Sequence, residues 1–176
     1  MKKVTLVAAV IVALGASAFA FTDNDAKRRF FEFLNGLKEA AAVVSTTGTG
    51  TFRASINRDE TEIDYVLTFK DLEGDVRQAH IHIGLPQNAG GIVLWLCDSD
   101  ANPSPVATTP PCVEPGATDL RNGRVTGTLT EADVQNAPAN GIAGPTATTP
   151  GEFAEVIALI RAGKTYANVH TVKFPP

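Results

Sequence analysis

The chain holds three histidines, His80, His82 and His170, and they fall in two short motifs whose residue types could hold a metal ion. In Ala79-His80-Ile81-His82-Ile83, apolar side chains alternate with imidazoles. On a strand, the period of two sends Ala79, Ile81 and Ile83 to one face and both imidazoles to the other. The apolar set must take the core, so the histidine pair is expected on the outer face. In Tyr166-Ala167-Asn168-Val169-His170-Thr171 the same rule turns Ala167 and Val169 inward and leaves Tyr166, Asn168 and His170 outside. Two imidazoles at i and i+2 can share one ion, and a third from a neighbouring strand completes a three-nitrogen site with an open position. Imidazole suits zinc, copper, iron or nickel. The expectation is a copper or zinc site on His80, His82 and His170, with Tyr166 and Asn168 beside the ligands on the same face. The competing reading keeps the three as ordinary polar residues of a solvated or loop-covered face, bonded to carboxylates or backbone. Either way, outward imidazoles should contribute little to the core.

Other chemistry finds no template. The sequence has no G-x-S-x-G elbow, no H-E-x-x-H, no Walker loop and no G-x-G-x-x-G after a strand, so no catalytic residue is assigned. Asp98 and Asp100 resemble part of a calcium loop, but the glycine and distal glutamate of that loop are absent, and they read as loop solvation. The two cysteines, Cys97 and Cys112, are expected to form a disulfide rather than a redox pair, because no C-x-x-C spacing exists.

Several elements must position these groups. Phe30, Phe33, Leu34, Leu37 and Ala41 recur at three- and four-residue steps between charged residues, which predicts an amphipathic helix over residues 23–44, capped by Asp23 or Asn24 and packed on the domain that follows. Residues 45–50 form a Ser/Thr/Gly joint. The clearest strand runs over 62–70, where Ile63, Tyr65, Leu67 and Phe69 alternate with polar residues. Further strands are expected at 51–57, 78–83, 92–96, 124–130 and 166–173, separated by turn signals such as Asn88-Ala89-Gly90-Gly91. Residues 98–122 carry five prolines, which cannot join a ladder, so this stretch is a surface insertion. A helix is expected at 150–162. Thr149 and Glu152 have capping-box spacing, Pro150 suits the first helical position, and Gly163 can end it.

The first twenty residues read as a secretory signal: Lys2 and Lys3, an apolar run from Val4 to Leu14, and the small-residue site Ala18-Phe19-Ala20. That run is too short to span a bilayer, and no transmembrane segment is expected in the mature chain. Loss of two lysines makes the formal charge of −4 more negative still, which argues against nucleic acid or an acidic membrane as a partner. The remainder suffices for one core. A secreted or periplasmic location follows, and it suits a disulfide.

The segments A-H-I-H-I-G and I-R-A-G-K-T-Y-A-N-V-H-T, with T-F-R-A-S-I, the alternating strand and the closing F-P-P, resemble a CHRD domain, the module named after chordin and common in exported bacterial proteins. The resemblance covers 51–176. It implies a mainly β fold, an antiparallel, Greek-key-like β-sandwich or barrel, here with an N-terminal helix and one helix before the last strand. It favours an extracellular binding module, with an extracellular protein as a further partner, over catalysis. Two departures stand out: the insertion between Cys97 and Cys112, and an end at Pro176 where the family pattern continues through a G-E-I-R-G-like strand. The A-H-I-H motif also resembles the H-x-H copper ligands of Cu/Zn superoxide dismutases, by analogy alone. Three functions therefore stand: a metal-binding module, a copper-dependent dismutase-like enzyme on the same histidines, and a metal-free structural or adhesive domain.

Overall fold

The computed structural model describes residues 28–39, 43–85 and 88–175; the expected signal segment and the start of the expected N-terminal helix lie outside them. Among these described residues seven strands and one α-helix follow in the order β1 (Arg29–Asn35), β2 (Thr49–Ile56), β3 (Ile63–Lys70), β4 (Val76–Ile83), β5 (Ile92–Cys97), β6 (Gly123–Leu129), α1 (Phe153–Arg161) and β7 (Thr165–Thr171). They form two antiparallel sheets, ordered β1-β2-β3-β6 and β5-β4-β7, and among the described residues no ladder closes the two into a barrel.

The four-stranded sheet obeys its binary pattern. Ile63, Tyr65, Leu67 and Phe69 of β3 are buried while Asp64 and Lys70 are exposed. Their cross-strand partners put Phe52, Ala54 and Ile56 of β2, and Val125 and Leu129 of β6, on the same core face. Tyr65 pairs with Gly127, and a Cβ on that glycine would stand 2.6 Å from the Tyr65 hydroxyl, so the ring occupies the space a side chain would need.

The N-terminal segment corrects the expected helix. Residues 29–35 are an edge strand whose seven Cα pairs, Arg29 with Ser55 through Asn35 with Thr49, satisfy the free edge of β2. The apolar positions fit both periods. Phe30 and Leu34 turn to the core, while Phe31 and Phe33 meet edge to face on the other side, with the Arg53 guanidinium over Phe31. Three phenylalanines within four residues favour a strand, and an open sheet edge decides the contest. Residues 36–38 then make one 3-10 turn, and the Val44 N–H donates to Gly36 O at 2.8 Å, so the chain leaves and returns at one point.

The C-terminal helix is present but starts later than expected. Glu152 stands at its N-cap without a side-chain cap bond; its carboxylate accepts from the Ala143 N–H instead, and Thr149 pairs with Thr146. The capping box forms elsewhere, between Thr130 and Asp133 on a 3-10 turn after β6. Gly163, at φ 64°, ends α1 as its position suggested. Phe153, Val156 and Ile157 bury the helix against the core, and after residues 162–164 the chain enters β7. Cys97 and Cys112 are disulfide-bonded, closing the first part of the proline-rich insertion onto the end of β5. Within that loop Asp98 does more than meet solvent, since its carboxylate accepts the Ser104 N–H at 2.7 Å.

Candidate metal centre

Strand β4 is the middle of its sheet, so whatever its side chains face is built by β5 on one side and β7 on the other. The pleat separates Ala79, Ile81 and Ile83 from His80 and His82. Register then places His80 between Trp95 and Asn168, His82 opposite Tyr166, and Gln78 opposite His170. Two register shifts between β4 and β5, after Ala79 and after Ile81, bring Trp95 level with His80.

The imidazoles lie on the face away from Ala79, Ile81 and Ile83, as expected, but that face is covered rather than open to solvent. His80 is 0% exposed and His170 9%, and only His82 is half-buried. Ring contacts account for this: Trp95 packs edge to face on His80 at 4.7 Å between centroids, His170 lies 5.1 Å from His80, and Tyr166 stacks on His82 at 5.0 Å and 4°. A period-two pattern reports side, not depth; both faces of a central strand can be covered.

One nitrogen from each of the three rings lies within 4.8 Å of the others. Ligands about 2.0–2.1 Å from a tetrahedral ion sit roughly 3.3 Å apart, so small ring rotations gather all three around one centre. Among the described residues this is the only such group of three or more histidine, cysteine or acidic side chains, and it can coordinate a metal ion.

The hydrogen bonds fix where the protons are. His82 Nδ1 lies 2.9 Å from Gly90 O, and a carbonyl only accepts, so His82 donates from Nδ1, which in the singly protonated ring leaves Nε2 as the bare, accepting nitrogen. His80 Nδ1 stands 3.2 Å from that bare Nε2 and 3.3 Å from Asn168 Oδ1, both acceptors, so His80 also carries its proton on Nδ1. The Asn168 amide is turned this way round because its Nδ2 faces Glu39 Oε1 at 3.5 Å. His80 Nε2 is left buried with no partner, and so is His170 Nε2. An orphaned buried polar atom is costly, and two unpartnered imidazole nitrogens are what a cation would satisfy. A ligating histidine that donates its other N–H to a backbone carbonyl, as His82 does to Gly90, has its ring orientation fixed.

Burial governs the acid–base state. His80 is pushed down to about 3, first by burial, then by the neighbouring His170 and His82, with Asn168 opposing. His170 falls to about 4, first by burial and then through His82, while a hydrogen bond with the Phe174 backbone opposes the drop. Both are therefore neutral, as ligands must be, well below pH 6.

Three contributors escaped the sequence reading. Trp95 joins through a register set by the two shifts, which no local pattern encodes. Gly90 was legible as a turn but not as a clamp: a Cβ there would meet Ile83 O at 1.5 Å, so only glycine lets the β4–β5 loop fold back onto His82. Glu39, one of the charged residues within the expected helix over 23–44, lies instead just beyond the 3-10 turn, against β7.

The model of the CHRD domain family matches residues 30–176, which takes in β1 as well as the two histidine motifs. No curated protein and no solved structure matches the chain.

Proposed function

The chain belongs to the CHRD domain family, and from that premise we propose that it is a metal-binding module working outside the cytoplasm, with copper or zinc held by His80, His82 and His170. The observation that carries the reading is the pair of buried, unpartnered Nε2 atoms on His80 and His170. Left without an ion, they cost stability that hydrogen bonding elsewhere in the cluster does not return. Three imidazoles leave an open position that a water or another small ligand fills. Among the described residues no second group of ligands accompanies these three imidazoles, which favours binding over a two-metal, dismutase-like enzyme.

Trp95 is the single tryptophan of the chain and lies against His80, so its fluorescence reads the site directly. Titration with Cu²⁺ should quench it at one equivalent, and Zn²⁺ should compete the quenching away. His82→Ala, at the half-buried ligand, should lower copper affinity by at least tenfold with the fold intact. Quenching that is weak, non-stoichiometric and indifferent to His82→Ala would leave the metal-free structural reading. For location, the support is the signal-like run of residues 1–20 together with the disulfide. Mass spectrometry of exported protein should find Phe21 at its N-terminus; an intact Met1 on protein retained in the cell would rule export out.

A further inference from the structure

The ligand set contains three imidazoles and no anion. A divalent ion placed there would bring two positive charges into a site where His80 and His170 are almost wholly buried. Burial of uncompensated charge is expensive, so the nearest fixed negative charge matters out of proportion to its distance.

One carboxylate is tied to the cluster by hydrogen bonds. From His80 Nδ1 the hydrogen bonds run to Asn168 Oδ1 at 3.3 Å and from Asn168 Nδ2 to Glu39 Oε1 at 3.5 Å. Among the described acidic side chains, Glu39 is the one this chain of contacts reaches. Glu39 thus stands two hydrogen bonds from His80 without belonging to the donor cluster. Its placement is built in. The segment after β1 is closed at its base by the Val44-to-Gly36 hydrogen bond, and the Glu39 N–H turns back to Gly36 O at 3.3 Å, which projects the side chain from the end of the four-stranded sheet onto β7 of the other.

Resting on the metal reading above, we propose that Glu39 is the charge-compensating residue of the centre and biases it toward divalent over monovalent cations. It does so through the field it sets, with Asn168 as the dipole between carboxylate and imidazole. The energy of a fixed charge with an ion scales with the ion's charge. Removing the charge therefore weakens a divalent ion by some factor and a monovalent ion by about the square root of that factor.

The test compares Zn²⁺ with Ag⁺, which binds imidazole and needs no reductant that would open the disulfide, in chloride-free buffer by calorimetric titration of the full chain. Glu39→Gln keeps an acceptor oxygen for Asn168 and removes only the charge. Zn²⁺ affinity should fall about tenfold and Ag⁺ affinity about threefold. Both losses should shrink as ionic strength rises. Glu114→Gln, which removes one exposed charge from the proline-rich insertion, should change neither. Equal losses for the two ions, or none, would overturn the role of Glu39 while the metal reading stands. A wild-type chain that binds neither ion overturns the metal reading, and this assignment with it.

Discussion

His80 shows what a residue's depth does to its chemistry. Its side chain is fully buried, and burial more than any charge holds its pKa at about 3. His170, nearly as deep, sits at about 4. An unfolded chain titrates both near 6.5. Between those values the unfolded state binds protons that the folded state refuses, so metal-free stability is full above pH 6.5 and is lost as the pH falls. Both groups contribute from about 6.5 to about 4, and His80 alone continues to about 3. Each can remove up to roughly 1.4 kcal/mol per pH unit. Urea midpoints measured from pH 7 to pH 4 should fall steadily, and His80→Gln should flatten the profile; a profile level between pH 6.5 and 4.5 would contradict burial of neutral imidazoles. The residue types and their side of the strand were legible from Ala79-His80-Ile81-His82-Ile83 alone. Depth was not, because it depends on Trp95, His170 and the β4–β5 loop, whose positions are set by long-range register.

At the scale of elements, the strands with strict alternation read true and the ambiguous apolar run did not. Strand β3 has one period only, whereas Phe30, Phe31, Phe33 and Leu34 satisfy both, and the free edge of β2 resolves what the run itself leaves open. The same lesson applies to capping: Thr149 and Glu152 have the right spacing, but the Ala143 N–H claims the glutamate first. Pairing also explains the glycines of β6. Gly123 lies opposite Phe69 and Gly127 opposite Tyr65, and the two rings fill the places their side chains would occupy. Gly127→Ala should therefore destabilise, although alanine suits a strand better than glycine in general. The Cβ would meet the Tyr65 ring at 2.6–2.8 Å, and Tyr65 is held by a hydrogen bond from its hydroxyl to Leu96 O, which ties the ring to the other sheet. A cost of about 1–3 kcal/mol is expected from chemical denaturation. Unchanged or higher stability would mean that the ring yields freely and that the cross-sheet bond does not fix it.

Over the whole molecule the chain passes between the sheets three times, from β3 to β4, from β5 to β6 and from β6 to β7. The first is a tight turn, the last is filled by α1, and the middle one is the proline-rich insertion, which has no regular element to hold it between Cys97 and Gly123. The disulfide supplies that restraint at its start, where Cys97 ends β5 and pairs across to Ala79, the neighbour of His80. Backbone bonds reinforce the closure: the Asp98 N–H donates to Pro110 O and the Cys112 N–H to Asp98 O. With a sequence separation of 15, chain-entropy reasoning gives the bridge about 3 kcal/mol, all of it through the unfolded state. Replacing both cysteines, as Cys97→Ala with Cys112→Ala, removes the link and leaves two small apolar groups in positions that are 0% and 1% exposed. Stability should fall by about 3 kcal/mol in urea. Metal affinity at pH 7 should hold within a few-fold, because the three ligands come from β4 and β7 and not from the loop. Added zinc at a hundred times its dissociation constant should then restore about 2.7 kcal/mol by mass action, as much as it adds to the native protein. Zinc that stabilises the bridged form and fails to stabilise the unbridged one would show that the disulfide shapes the site itself, against the independence of staple and centre argued from their strands.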